Sequence, residues 1–136
     1  MSGERGHEPE RLPFFVYGTL RAGQRHHAWA LRGHTAREEP AVLPGAVLYE
    51  GPGYPYAVAV PDAARHVHGE LMHIRPARFP AVLATLDRLE GPDYDRLTVR
   101  LLDGARAWTY LAAEPLATRL RTTGTPVPGG DWLARG

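Results

Sequence analysis

Residues 14–21 read FFVYGTLR, and this stretch decides how the rest of the chain is organised. An apolar, β-prone run is typical of a buried strand, here expected over residues 12–17. The run stops at Gly18, where the backbone should turn sharply before residues 21–32 continue as a short helix. A strand that enters a helix through such a turn leaves backbone N–H groups without partners, and these can bind a carboxylate, a phosphate or an oxyanion. An ordinary turn without a ligand would have the same local sequence.

Composition restricts the class of protein. The 136 residues are 43% hydrophobic and 23% charged, which indicates one globular domain. The formal charge of +1 provides no general attraction to nucleic acid or anionic membranes, so neither is expected as a partner. Cysteine and lysine are both absent, which excludes disulfides, thiolate nucleophiles, Cys-ligated zinc and lysine Schiff bases. Since no export signal or membrane-length apolar run is present, the expected location is the cytoplasm.

Strand patterns outnumber helix patterns along the chain. Residues 1–11 should form a flexible tail, 12–121 the domain, and 122–136 a Gly/Pro-rich tail over the surface. The predicted fold class is therefore α+β, a small mixed β-barrel with flanking helices. Residues 35–40 read as a polar link, 50–55 as a loop and 103–104 as a hairpin turn. After the first strand, the other predicted strands are 41–49 (interrupted at Pro44-Gly45), 56–60, 67–74, 97–102 and 105–111, and the main helix is 75–90.

The helix that ends before Gly91 carries an acid on its apolar face. At 100° per residue, Glu90 projects between Leu83 and Leu86, inside the apolar stripe. Gly91-Pro92 ends the helix, so Glu90 also lies at the negative end of the helix dipole. Burial and the dipole both raise the pKa of a carboxyl group toward the range useful for a general base. Alternatively, Glu90 pairs with an arginine or caps neighbouring backbone.

Several motifs, taken in order, resemble the γ-glutamylcyclotransferase-like family, which includes the AIG2-like proteins. The opening YGTLR at residues 17–21 resembles the first family motif. The other motifs are GYPY at 53–56, VHGEL at 67–71, LDRLEG at 86–91 followed by Tyr94 and Arg96, and AWTY at 107–110. The resemblance covers roughly residues 13–112, and it implies a small mixed β-barrel.

The resemblance also implies a reaction and a site. Family enzymes release 5-oxoproline from a γ-glutamyl amine or γ-glutamyl amino acid, because the substrate's α-amine attacks its own γ-carbonyl group. Neither metal nor cofactor is implied, since the attack is intramolecular. Glu90 corresponds to the catalytic glutamate, which deprotonates the α-ammonium group and later protonates the leaving nitrogen. The implied substrate-binding residues are Tyr17, Gly18, Thr19, Leu20, Tyr94 and Tyr110, although the last two tyrosines are equally typical of a pocket wall.

Other residues leave alternatives open. Arg21 could aid carboxylate binding or be a solvated surface arginine. His68 and Glu70 form a His-x-Glu pair of the kind that begins some zinc sites, but a third ligand at recognisable spacing is missing. His26 and His27 are adjacent on the predicted helix and are expected on the surface. The alternative function is a non-catalytic module that uses the same pocket to bind a carboxylated metabolite. The sequence does not identify the amine half of a substrate or the oligomeric state.

Overall fold

The computed structural model describes residues 9–134, and within this range seven strands form two sheets. The strands are β1 Phe14–Val16, β2 Thr35–Pro44, β3 Ala46–Tyr49, β4 Tyr56–Ala59, β5 His66–Ile74, β6 Tyr94–Arg100 and β7 Arg106–Ala112. The helices are α1 His27–Ala30, α2 Phe79–Glu90 and α3 Leu116–Thr123, and 3₁₀ turns cover Pro76–Arg78, Gly91–Asp93, Pro128–Gly130 and Trp132–Ala134. None of the helices in the described range is long and apolar enough to cross a membrane.

The larger sheet is mixed, with the strand order β2-β5-β1-β7-β6. β1 pairs parallel to β7 and antiparallel to β5, while the outer pairs are antiparallel. The predicted α+β class with a mixed sheet and flanking helices is confirmed. The sheet does not close into the predicted barrel, because β2 and β6 remain its edges in the described part of the chain. The β6–β7 hairpin approaches β2 through a hydrogen bond from Leu102 N–H to Val42 O, at 2.9 Å.

The central strand β1 is buried on both faces, as its unbroken apolar sequence requires. Phe14 packs into the cluster on the helical side of the sheet, and Phe15 packs into the cluster on the other side. Each buried phenylalanine contributes about 1.5–3 kcal/mol relative to an exposed one. On the helical side Phe14 meets the buried face of α2, formed by Phe79, Val82 and Leu86. This packing fixes the end of α2 close to the turn that follows β1.

Two predicted elements around the first helix are wrong in extent. The helix predicted over residues 21–32 is reduced to α1, His27–Ala30, because residues 18–25 form successive turns. Gly23 adopts a φ of 84° in these turns, which is incompatible with an α-helix. Residues 35–40 are the first half of β2 rather than a polar link. The predicted interruption lies at Gly45, with φ 76°, and it separates β2 from β3.

The segments near both ends of the described range contact the body of the domain more closely than the sequence predicts. The predicted surface course of residues 122–136 is wrong for Val127 and Trp132, since both are buried in the core that contains Phe15. The preceding helix α3 was not predicted. At the other end, Glu10 forms an ion pair with Arg106 at 2.8 Å. Residues 1–8 of the predicted N-terminal tail lie outside the described residues.

Candidate active site

A cavity of about 290 Å³ lies where β1 ends, and it is large enough for a small ligand. Residues from the turn after β1, the 54–55 loop, the end of α2, β6 and β7 line it. All seven residues that were predicted to act in catalysis or substrate binding line it: Tyr17, Gly18, Thr19, Leu20, Glu90, Tyr94 and Tyr110. Five positions along the chain therefore converge on one concave surface.

The turn after β1 lines this cavity and contains unused backbone donors. Arg21 N–H donates to Gly18 O at 3.0 Å, which closes the turn around Thr19 and Leu20. Among residues 9–134, no acceptor takes a hydrogen bond from the backbone N–H of Thr19 or Leu20. Two adjacent free amides at a turn form a small concavity that suits an anion. The N–H groups of Thr19 and Leu20 are therefore candidate donors to a ligand, and their predicted role in substrate binding stays a prediction.

Gly18 is required at this turn because another residue approaches it closely. A Cβ atom at Gly18 would lie 2.7 Å from Cδ and 2.8 Å from Cγ of Pro55. Real side-chain carbons do not approach a proline ring so closely, and the ring has little freedom to move. The missing side chain thus lets the 54–55 loop pack against the turn and form one wall of the cavity.

Arg21 attaches the turn to other parts of the protein. Both sequence-based interpretations of this residue, carboxylate binding and a solvated surface position, are therefore wrong. Its side chain is buried and does not line the cavity. The guanidinium group donates from Nε to Glu70 Oε2 at 3.0 Å and from Nη1 to Asp131 Oδ1 at 2.8 Å. The other oxygen of Glu70 accepts from Ala22 N–H at 2.8 Å. These bonds attach the residues after the turn to β5 and to the C-terminal segment.

Glu70 uses its carboxylate in these hydrogen bonds, and this matters for the possible zinc site formed by the His-x-Glu pair of His68 and Glu70. Both of its carboxylate oxygens accept hydrogen bonds from the chain around Arg21. Over residues 9–134, no group of three or more His, Asp or Glu side chains is arranged to hold a metal ion. The carboxylate of Glu70 is thus hydrogen-bonded to Arg21 and Ala22, and the described residues provide no third metal ligand beside His68 and Glu70.

Glu90 is the more buried of the acids that line the cavity, and its carboxyl group is unpaired. No hydrogen bond or ion pair joins its carboxyl group to another residue in the described range 9–134, so the proposed arginine pairing and backbone capping are both excluded there. Burial raises the pKa of Glu90 from 4.5 to about 7. α2 ends at this residue, and Gly91 then takes a φ of 73° that an L-side chain rarely adopts. A carboxyl group that exchanges its proton near neutral pH is therefore available to a ligand.

The three tyrosines around Glu90 use their hydroxyl protons within the protein. Tyr110 donates to Asp87 Oδ1 at 2.5 Å, Tyr94 donates to Pro55 O at 3.0 Å, and Tyr17 donates to the backbone oxygen of Tyr110. Burial is the largest cause that raises the pKa of each phenol, so all three stay neutral. They shape the cavity and can offer only oxygen lone pairs to a ligand.

Sequence reasoning missed several lining residues, of which His26 is the most informative. It was expected on the surface, but its ring lines the cavity and lies 2.6 Å, Nδ1 to Oγ1, from Thr19. The single signal in the sequence was its proximity to the glycine turn, which the wrongly extended helix obscured. Tyr54 and Pro55 belong to a recognised motif but carried no predicted role. Arg25 and Asp93 also line the cavity, and both are exposed.

Comparisons with known proteins agree with these features. Residues 14–134 match the family described as "Gamma-glutamyl cyclotransferase, AIG2-like". A Vibrio cholerae protein named "Putative gamma-glutamylcyclotransferase" is 32% identical over 123 residues, which cover 89% of this chain and 95% of that protein.

Two solved structures share the fold at lower identity. An uncharacterised protein of Pyrococcus horikoshii has a TM-score of 0.66 and 24% identity, with 89% of each chain covered. An AIG2-like protein of Mus musculus has a TM-score of 0.60 and 22% identity, with 79% of this chain and 82% of the mouse chain covered. The family match over nearly the whole described range decides the assignment: the chain belongs to the gamma-glutamyl cyclotransferase, AIG2-like family.

Proposed function

We propose that the protein is a cyclotransferase that releases 5-oxoproline from a γ-glutamyl amine or a γ-glutamyl amino acid. The observation that carries this proposal is the unpaired carboxyl group of Glu90, which shares one small cavity with the free amides of Thr19 and Leu20. Family membership supports a cyclotransferase in general terms. The unpaired acid and the turn with free amides support the proposal further, because such a cyclisation needs a base and a group that binds an anion.

Glu90 acts as the general acid and base of the reaction. Its carboxylate accepts a proton from the substrate's α-ammonium group, because an ammonium nitrogen has no lone pair with which to attack. The freed α-nitrogen then bonds to the γ-carbonyl carbon, and the bond from that carbon to the leaving nitrogen breaks. Glu90 returns its proton to the leaving nitrogen. The second proton that the α-nitrogen loses in becoming the lactam N–H is taken up by the expelled amine, which leaves as an ammonium ion. A pKa near 7 suits both transfers, since the group is neither fully protonated nor fully ionised at neutral pH.

The turn after β1 binds the charged end of the substrate. The N–H groups of Thr19 and Leu20 can hold the α-carboxylate or stabilise the oxyanion that develops on the carbonyl oxygen. Tyr94 and Tyr110 form the walls against which the glutamyl chain folds. Because the nucleophile and the electrophile belong to one molecule, holding that molecule in a bent conformation supplies much of the acceleration. The reaction needs no cofactor on this scheme.

The test is release of 5-oxoproline from a panel of γ-glutamyl amines and γ-glutamyl amino acids. The wild-type protein is expected to convert at least one of them, and Glu90→Gln is expected to bind the same compound without turning it over. A matched control is Asp95→Asn, which alters an exposed acid on β6 that does not line the cavity and should leave turnover as in the wild type. If the wild type converts no member of the panel but binds one, a non-catalytic binding module replaces this proposal.

A further inference from the structure

His26 is held in a defined orientation at the wall of the cavity. Its backbone N–H donates to Thr19 O at 2.9 Å, and its ring Nδ1 lies 2.6 Å from Thr19 Oγ1. The ring also meets the edge of Trp29, with 6.1 Å between the ring centroids. A side chain fixed by such contacts cannot simply rotate out of the site. Its orientation therefore bears on what it presents to a ligand.

The hydrogen bond that Thr19 needs indicates which ring nitrogen carries the proton. Among residues 9–134, Nδ1 of His26 is the one acceptor that the structure offers to the Thr19 hydroxyl group. We therefore assign the 2.6 Å contact to donation from the hydroxyl of Thr19 to Nδ1 of His26. In a neutral imidazole the proton must then be on Nε2. Thr19 thus selects the tautomer with an Nε2–H donor.

The surroundings of the ring favour its neutral form. Burial, followed by the nearby charge of Arg25, lowers the pKa of His26 below its ordinary value. The acids that line the cavity are Glu90 and Asp93, and burial keeps the phenols of Tyr17, Tyr94 and Tyr110 neutral by raising the pKa of each. A neutral imidazole is a hydrogen-bond donor that does not give up its proton to an oxyanion, so it can stabilise developing negative charge without a proton transfer.

We propose that the Nε2–H group of His26 donates a hydrogen bond to the γ-carbonyl oxygen of the bound substrate. This proposal rests on the cyclotransferase function proposed above. As the α-nitrogen bonds to the carbonyl carbon, the carbonyl electron pair moves onto the oxygen, where the imidazole stabilises it. When the pair returns, the bond to the leaving nitrogen breaks and that nitrogen takes the proton from Glu90. The free amides of Thr19 and Leu20 are then left for the α-carboxylate.

The neighbouring histidine provides a matched control for this role. His27 lies one residue further along and bonds through Nε2 to Glu38 at 2.7 Å, and it does not line the cavity. Replacing His27 alters the same short helix and the same residue type. It should leave the kinetics of cyclisation as they are in the wild type.

Two substitutions of His26 separate its two ring nitrogens. In His26→Asn the amide group occupies the region of Nδ1, so it can still accept from Thr19 but offers no donor at the Nε2 position. In His26→Gln the longer amide reaches the Nε2 position and restores a donor there. Removal of one such donor typically lowers kcat by about 100-fold or more. We expect this loss for His26→Asn with KM nearly unchanged, a loss below tenfold for His26→Gln, and wild-type kinetics for His27→Asn.

The experiment combines these kinetics, on the best compound of the γ-glutamyl panel, with ¹⁵N NMR of the histidine rings in the free protein. The expected spectrum has the proton of His26 on Nε2. Protonation on Nδ1, equal losses of kcat in the two His26 variants, or a raised KM with wild-type kcat would each overturn the proposal. A wild-type protein that converts nothing refutes the proposed function, and this role with it. An active wild type with an equally active His26→Asn refutes only the role of His26.

Discussion

Replacing Glu90 by glutamine should abolish turnover and at the same time stabilise the folded protein at alkaline pH. In the unfolded chain the carboxyl group titrates near 4.5, whereas burial raises the pKa of Glu90 to about 7 in the folded protein. The folded protein therefore binds this proton more tightly than the unfolded chain does. It follows that the free energy of unfolding decreases as the pH rises from about 4.5 to about 7, and stays reduced above that.

The size of this effect follows from the pKa difference. Each unit corresponds to about 1.4 kcal/mol, so ionised Glu90 costs the folded protein about 3 kcal/mol above pH 7. Glutamine has nearly the same shape and no charge to bury, so the variant should recover most of that free energy at pH 8. For a chain of this size the gain corresponds to a melting temperature higher by on the order of 10 °C. Near pH 4.5 both proteins carry an uncharged group, and the difference should disappear.

Urea denaturation of wild type and Glu90→Gln at pH 4.5, 6, 7 and 8 measures this difference directly. The two free energies of unfolding should diverge progressively across the series, with the variant the more stable at pH 8. Asp95→Asn serves as the control, because Asp95 is an exposed acid on β6 whose side chain makes no hydrogen bond or ion pair within residues 9–134. A Glu90→Gln variant that matches the wild type at pH 8 would show that Glu90 is well hydrated, and the argument for a base of raised pKa would fail.

Two further substitutions test the parts that form the turn. Gly18→Ala places a Cβ atom 2.7 Å from the ring of Pro55, so we expect a displaced 54–55 loop and a loss in kcat/KM of roughly 100-fold, measured by 5-oxoproline release. An alanine variant with wild-type activity would show that the close approach is not needed. Arg21→Met leaves Glu70 and Asp131 without their shared cation, and it should lower the free energy of unfolding in urea by about 3 kcal/mol. Its control is Arg106→Met, which removes an exposed partner of Glu10; equal stabilities of the two variants would contradict the buried anchor.

Local patterns were sufficient for the elements that depend on neighbouring residues alone. The central strand, the helix that ends at Gly91 and the β6–β7 hairpin each follow from apolar periodicity and from glycine or proline at a boundary. Glu90 could be singled out for the same reason, because a charged residue inside an apolar stripe is visible in a helical projection. Its location in a cavity with Gly18 depends on the packing of Phe14 against α2, which joins distant parts of the chain.

Two of the predictions that failed involve contacts across long sequence separations. Arg21 looked like a surface residue because its partners, Glu70 and Asp131, are 49 and 110 residues away. Trp132 lies in a Gly/Pro-rich segment that resembles a surface tail, yet it fills the core beneath β1. In both cases tertiary packing decided an outcome that composition and periodicity could not indicate. His26 differs, because it was placed on a helix that the nearby Gly23 prevents from forming.

The central claim is that Glu90 is the titrating base of a cyclisation. It is tested most directly by following kcat/KM for 5-oxoproline release against pH while titrating the Glu90 carboxyl carbon by ¹³C NMR in the free protein. The account predicts that kcat/KM rises with pH through an inflection near 7, and that the carboxyl carbon titrates with the same midpoint. A carboxyl carbon that titrates near 4.5, with kcat/KM constant from pH 5.5 to 8, would contradict it.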